Sequence, residues 1–258
     1  MQATMKPAAA DIRSYTAEEL DALFRAGTLE RIGMGMRRAC YLLPCGKMCV
    51  KCYRSDDEIG EGKYPGCAET QPLSRAVVKE IKDYRFSERR NTSCQEYRYW
   101  ENLRGRLNPD VFSIFPKTLE CVLVPSRGWC MIEEIVRNSD GTDSKPFAVA
   151  YREADDSGRV KLLTMLNELV TDFIASSVRL YDPQNLVVQT LGSGGFKLRV
   201  VDFEPVSRCF IPVDSVLPFL VRMKTRRRVK RYLREQLGVR GVVKCAIVPS
   251  YDTLTLEF

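Results

Sequence analysis

An asparagine and an aspartate at the two ends of one predicted hairpin constrain this chain more than any other feature. Val178-Arg179-Leu180-Tyr181-Asp182-Pro183-Gln184-Asn185 reads as a loop feeding a strand. A Gly-rich turn follows, and a second strand closes on Val200-Val201-Asp202-Phe203-Glu204. Antiparallel pairing brings the two ends of such a hairpin together, so Asn185 and Asp202 can offer hard oxygens to one divalent cation and leave coordination positions for phosphate. That geometry suits phosphoryl transfer.

The first half is strand-rich after a short helix. Thr16-Ala17-Glu18-Glu19 is a capping box with Tyr15 and Leu20 spaced as a hydrophobic staple, and the helix it starts should end near Arg25, before Gly27. Ile32-Gly33-Met34-Gly35 reads as a tight turn between strands, followed by a returning strand over 39–43 and a third over 48–53 that bears Lys51. Glycines there let backbone amides approach phosphate, with Lys51 reaching it from the next strand; the alternative is a plain hairpin with a surface lysine. Residues 54–74 read as a long loop. After Asn91, Tyr97, Trp100, Leu103 and Leu107 recur at helical spacing, with Glu96 at the start of that helix. Glu96 either pairs with Lys51 or is a solvated first-turn carboxylate favoured by the helix dipole. Residues 111–118 and 119–124 read as strands, and 129–136 as a last strand running into a polar connector at 138–145.

The 258 residues, 45% hydrophobic, allow one large domain or two small ones. Forty Lys and Arg against 33 Asp and Glu leave a net +7, which admits an anionic partner without specifying one. With no apolar run long enough to cross a bilayer and no basic-then-apolar leader, a cytoplasmic protein is expected, and its ten cysteines should be reduced thiols. Cys49 and Cys52 have zinc-like spacing, but residues three apart on a strand face opposite ways. Histidine is absent, so acid/base work falls to carboxylates, Lys, Tyr or Cys.

In the second half, Leu162, Leu166, Leu169, Val170 and Phe173 share one face of a long helix, after a short apolar stretch at 147–151. Near the end, the run from Arg222 to Arg234 reads as an amphipathic helix with a basic outer face. Arg226, Arg227 and Arg228 on it are either solvated or a contact for an anionic surface.

Gly33-x-Gly35, Lys51, Glu96, the stretch ending at Asn185, and Asp202-Phe203 occur in the order of the protein-kinase signatures. More narrowly, the chain resembles the YrbL family, small bacterial proteins named for their link to the PhoP regulatory network. The residues that carry this are Ile32 to Tyr41, Cys49-Val50-Lys51, Glu96 to Trp100, Pro183 to Leu186 and the basic helix, over residues 29–237. The resemblance implies an α+β, bilobal kinase-like fold: a tail and short helix at 1–28, a mainly β N-lobe at 29–137 with an insertion at 54–90, and a compact helical C-lobe at 138–258. It implies ATP and magnesium as cofactors, with Gly33, Gly35 and Lys51 on the phosphates, Glu96 paired with Lys51, Asn185 and Asp202 on the metal, and Glu134 to Val136 along adenine. The phosphate acceptor is left open among protein, sugar and lipid.

The chain departs from the kinase pattern in three places. Arg38 replaces the third glycine, either adding charge over the phosphates or facing solvent. Glu204 stands where a glycine follows Asp-Phe. Leu180 occupies the position of the catalytic base, and leucine accepts no proton. Asp182, two residues on, is the candidate for a displaced base or extra metal ligand; the competing reading is an Asx turn before Pro183. The chain is thus expected to be an ATP-dependent phosphotransferase or a catalytically silent regulator on the same scaffold, which binds nucleotide or a partner without phosphate transfer.

Overall fold

Thr16 caps the first helix as its spacing to Glu19 predicts: its Oγ1 accepts the Glu19 amide at 3.1 Å, and Glu19 Oε2 accepts the Thr16 amide at 2.9 Å. This helix, α1 (Ala17–Arg25), is followed by Gly27 at φ +64°. The computed structural model describes residues 14–61, 72–178, 180, 182–202, 218–239, 243–248 and 251–256. The chain is α+β and divides into two compact units, Met1–Trp100 with Lys117–Ile135, and Glu101–Pro116 with Val136–Phe258.

The first unit is built on an antiparallel sheet of β1 (Arg31–Met34), β2 (Arg38–Leu42), β3 (Met48–Tyr53), β4 (Thr118–Val124) and β5 (Gly128–Glu134), in the order β1-β2-β3-β5-β4. Alternation gives the sheet two different faces. Tyr41, Met48, Val50, Cys52 and Ile132 lie on one face, in a core with Tyr15, Leu20 and Phe24. The helix read as part of a separate leading segment therefore belongs to this unit, because its apolar stripe completes the core. Ile32 to Met34 lie within β1, so the tip of the hairpin falls at 35–37, later than the expected turn.

Between β3 and β4 run α2 (Asp56–Gly60), α3 (Arg75–Tyr84) and α4 (Thr92–Arg104). Ser55 and Glu58 form a second capping box, which starts α2 inside the segment read as loop. Fully buried Asn91 accepts the Ser93 amide on Oδ1 at 2.9 Å, while its Nδ2 donates to the Arg85 carbonyl at 3.0 Å, fixing the start of α4.

Residues 111–118 do not form a strand. Asn108 accepts the Asp110 amide at 2.9 Å and Pro109 takes the first helical turn, so α5 (Pro109–Phe112) forms instead. An N-cap with proline just inside it outweighs the apolar run that follows.

In the second unit, β6 (Lys145–Pro146), β7 (Leu186–Thr190) and β8 (Phe196–Val200) make an antiparallel sheet. The 147–151 stretch is helical, as α6 (Phe147–Glu153), and packs on α7 (Asp156–Ala175), whose Leu162, Leu166, Val170 and Phe173 are buried. The Val200 amide donates to the Ile114 carbonyl at 3.0 Å and Arg199 Nε to the same oxygen at 3.2 Å, tying 101–116 into this unit. The basic helix Pro218–Gln236 packs on α7, and β9 (Val243–Val248) and β10 (Tyr251–Leu256) form a hairpin. No helix among the described residues is long and apolar enough to cross a membrane.

Candidate functional site

The sheet face opposite α1 gathers four charged side chains. Arg38 and Lys51 share that face because Arg38 is in phase with Cys40, which pairs with Lys51 across β2 and β3. Lys51 stands opposite Met131 on β5, so Glu133, two residues on, reaches the same face diagonally. Helix α4 is pinned to β3 by Tyr53 and Thr92, whose hydroxyls are 2.6 Å apart, and by Ser93 Oγ, which donates to the Lys51 carbonyl at 3.4 Å. That docking points Glu96 inward.

Lys51 Nζ lies 2.6 Å from Glu133 Oε1, and Arg38 pairs with Glu96. Lys51, expected to pair with Glu96, has a carboxylate from β5 beside it, and Glu96 has Arg38. Glu96 is not a solvated first-turn residue, being 0% exposed, and Arg38 at 9% does not face solvent. The buried residues of α4 are Ser93, Cys94, Glu96, Trp100 and Leu103; Tyr97 is only half-buried, and Leu107 is buried just beyond the end of the helix.

Glu133 is the residue that sequence reading missed. Burial pushes its carboxyl up from 4.5 to about 7, with Lys51 pulling it down and the nearby Glu96 pushing it up further. Its Oε2 is buried with no hydrogen-bond partner among the described residues. Between 4.5 and about 7 the folded protein holds a proton that the unfolded chain has released, so this residue makes stability fall as pH rises across that window and level off above it. Glu133→Gln mimics the protonated carboxyl. The variant is expected to come close to the wild type in urea midpoint at pH 4 and to exceed it at pH 8; a difference that is the same at both would show that the fold does not hold the Glu133 proton.

The glycine hairpin is tied down by fully buried Arg54, whose Nε donates to the Gly35 carbonyl at 2.9 Å. The Gly35 amide closes the turn on the Arg38 carbonyl at 2.8 Å and is not open to a ligand. Neither Gly33 nor Gly35 has positive φ, and a Cβ at either would meet its nearest atom at 3.7 Å, an ordinary contact. The fold itself does not require glycine at these two positions.

At the last strand, the Glu134 amide donates to the Lys117 carbonyl at 2.9 Å, and Glu134 Oε2 accepts the Lys117 amide at 3.0 Å. The Ile135 amide is taken by Lys47 at 2.9 Å, whereas the next amide, that of Val136, donates to no described residue.

In the second unit the opening hairpin forms as predicted. Leu186 pairs with Val200, and Asn185 Nδ2 donates to the Asp202 carbonyl at 2.6 Å, so the two ends meet. Using its nitrogen in this way leaves Asn185 Oδ1 without a donor among the described residues. Asp182 is exposed, and its Oδ1 accepts the Gln184 amide at 3.0 Å in the Asx-type cap of the 3-10 turn Pro183–Asn185. Leu180, only 2% exposed, is a core residue. Phe203 and Glu204 lie outside the described residues.

On the basic helix, Val221, Val229 and Leu233 are buried. Arg227 is exposed, whereas Arg226 and Arg228 are half-buried. Arg222, Lys230, Arg231 and Arg234 complete the outward basic face. Cys49 and Cys52 face opposite ways, each near another thiol on a neighbouring strand, Cys40 and Cys130 respectively. Among the described residues no three His, Cys, Asp or Glu side chains come together as a metal cage. No protein-family model matches the chain, and none of the curated proteins does.

Proposed function

We propose that the chain is a Mg-ATP-binding, kinase-like phosphotransferase of the YrbL type. The observation that carries this reading is the asparagine–aspartate convergence: Asn185 keeps its side-chain oxygen while its nitrogen holds the backbone of Asp202. An amide oxygen and a carboxylate are the hard ligands that magnesium takes when phosphate oxygens and water complete its shell. Bound magnesium would neutralise phosphate charge during transfer. In the first unit, Lys51 would contact phosphate, with Glu133, Arg38 and Glu96 setting its charge environment. Gly33 and Gly35 support the reading because the fold leaves their missing side chains unexplained. Val136 would give its amide, and Glu134 its carbonyl, to the adenine edge.

The second reading is a silent regulator that binds nucleotide and transfers nothing. It is favoured by Leu180, which stands in the core where the base belongs, and by Asp182, whose carboxylate is engaged in capping its own loop.

A thermal-shift titration with Mg-ATP tests both. Saturation to about 100 times Kd should stabilise the wild type by about 2.7 kcal/mol, and Asp202→Ala should lose that response. Gly33→Ala should keep the wild-type Tm without nucleotide yet respond less to it. No response in the wild type rejects both readings. Binding without phosphate transfer to protein, sugar or lipid acceptors assigns the silent one, and turnover that survives Asp182→Asn removes that residue as the base.

A further inference from the structure

Three pairs of thiols lie against one another in the first unit: Cys40 with Cys49, Cys52 with Cys130, and Cys94 with Cys121. They differ in reach. Cys52 and Cys130 are fully buried and directly opposed on adjacent strands. Cys40 and Cys49 are diagonal neighbours on adjacent strands, since Cys40 pairs with Lys51 and Cys49 with Leu42, a spacing of roughly 7–8 Å that is too wide for a disulfide. Cys94 and Cys121 instead join a helix to a strand, α4 to β4, with their sulfurs 3.5 Å apart. Cys121 is half-buried while Cys94 is buried, so Cys121 is the more accessible of the two to an oxidant.

We infer that Cys94 and Cys121 are a reversible oxidation site, closed to a disulfide by a peroxide. The Cys121 sulfur attacks one peroxide oxygen, the O–O bond breaks, and the leaving hydroxide takes up the thiol proton as water, giving a sulfenic acid. The Cys94 sulfur then displaces that hydroxyl, which leaves as a second water with the Cys94 proton. Two thiols and one hydrogen peroxide thus become one disulfide and two waters. Closure from 3.5 Å to bonding distance is within the reach of side-chain rotation on fixed backbones. Its hydrogen bond with Cys94, and burial, push the Cys121 thiol up, so the pair should oxidise more slowly than a dedicated peroxide-sensing thiolate. The bond would clamp α4 onto the sheet two residues before Glu96. This inference does not rest on the nucleotide reading.

The test is peptide mapping of the full chain, first fully reduced, then treated with hydrogen peroxide, alkylated and digested without reductant. The expected result is a linked Cys94–Cys121 peptide that dithiothreitol reverses, with Tm raised by roughly 5 °C in the oxidised protein. Cys121→Ser, which changes a half-buried position, should abolish both effects, and Cys94→Ala should do the same from the other side. Should either variant fold poorly, the wild-type map still decides. Oxidation appearing only at other cysteines, a Cys121–Cys130 link, or Cys121 halted at the sulfinic acid would each overturn the proposal.

Discussion

Gly128→Ala is expected to lower the stability of the chain by about 3 kcal/mol or more, the largest loss from an added methyl at any of the described glycines. Gly128 sits at φ +80°, and a Cβ there would stand 2.3 Å from the Arg85 carbonyl oxygen and 2.6 Å from Arg85 Cγ. The carbonyl has little freedom to yield, because it accepts the Trp129 amide at 3.0 Å and Asn91 Nδ2 at 3.0 Å. Pushing it away would disturb the start of α4 through Asn91. The same push would also disturb the Arg85 side chain, whose Nη2 donates to the Arg54 carbonyl at 2.6 Å, and through it the arginine that anchors the glycine hairpin. Gly46→Ala is the control: φ is +70° there and nothing lies within 4 Å, so only the left-handed backbone penalty of about 1 kcal/mol applies. Urea midpoints measure the contrast, and equal losses in the two variants would mean that the Arg85 carbonyl gives way.

What the sequence discloses depends on how local the determining interaction is. The capping box of α1 and the hairpin that joins Asn185 to Asp202 involve residues close in sequence, and both form as read. Lys51 was legible as a strand residue, but its surroundings were not. Which face of the sheet α1 covers, and which α4 covers, is a tertiary fact; only with it does alternation decide that Glu133 faces Lys51 while Ile132 faces the core. For the same reason the sequence does not decide between phosphate and solvent for Arg38, whose carboxylate partner lies 58 positions away on α4. The misreading of 111–118 has a local cause, since Asn108-Pro109 is a helix start placed just ahead of apolar residues that resemble a strand. Leu180 shows how one position carries two meanings. As a departure from the kinase pattern it suggests lost catalysis; in the fold it is a core side chain beside buried Val178 and Pro183, a sufficient reason for leucine on its own.

Glu96→Ala should be the most damaging change among the site residues, costing about 3–5 kcal/mol, because it removes a counter-charge from a buried ion pair. Arg38 would keep its guanidinium in surroundings that leave it 9% exposed, on the same sheet face as the Lys51–Glu133 pair. Glu96→Gln separates charge from packing: it keeps the shape and a hydrogen-bond acceptor and should cost less. It also has a readout that mere loosening would not produce. The negative charge of Glu96 helps to hold Glu133 up near 7, so neutralising it lets Glu133 ionise at lower pH, with Lys51 and Arg38 both favouring that form. The pH window across which Glu133→Gln outgains its parent should therefore move downward when both proteins carry Glu96→Gln. A window that stays in place would mean that Glu133 does not sense Glu96, and the four side chains would then be two separate pairs. A window that moves would make them one electrostatic unit, in which the charge around Lys51 depends on the protonation of a carboxylate from β5.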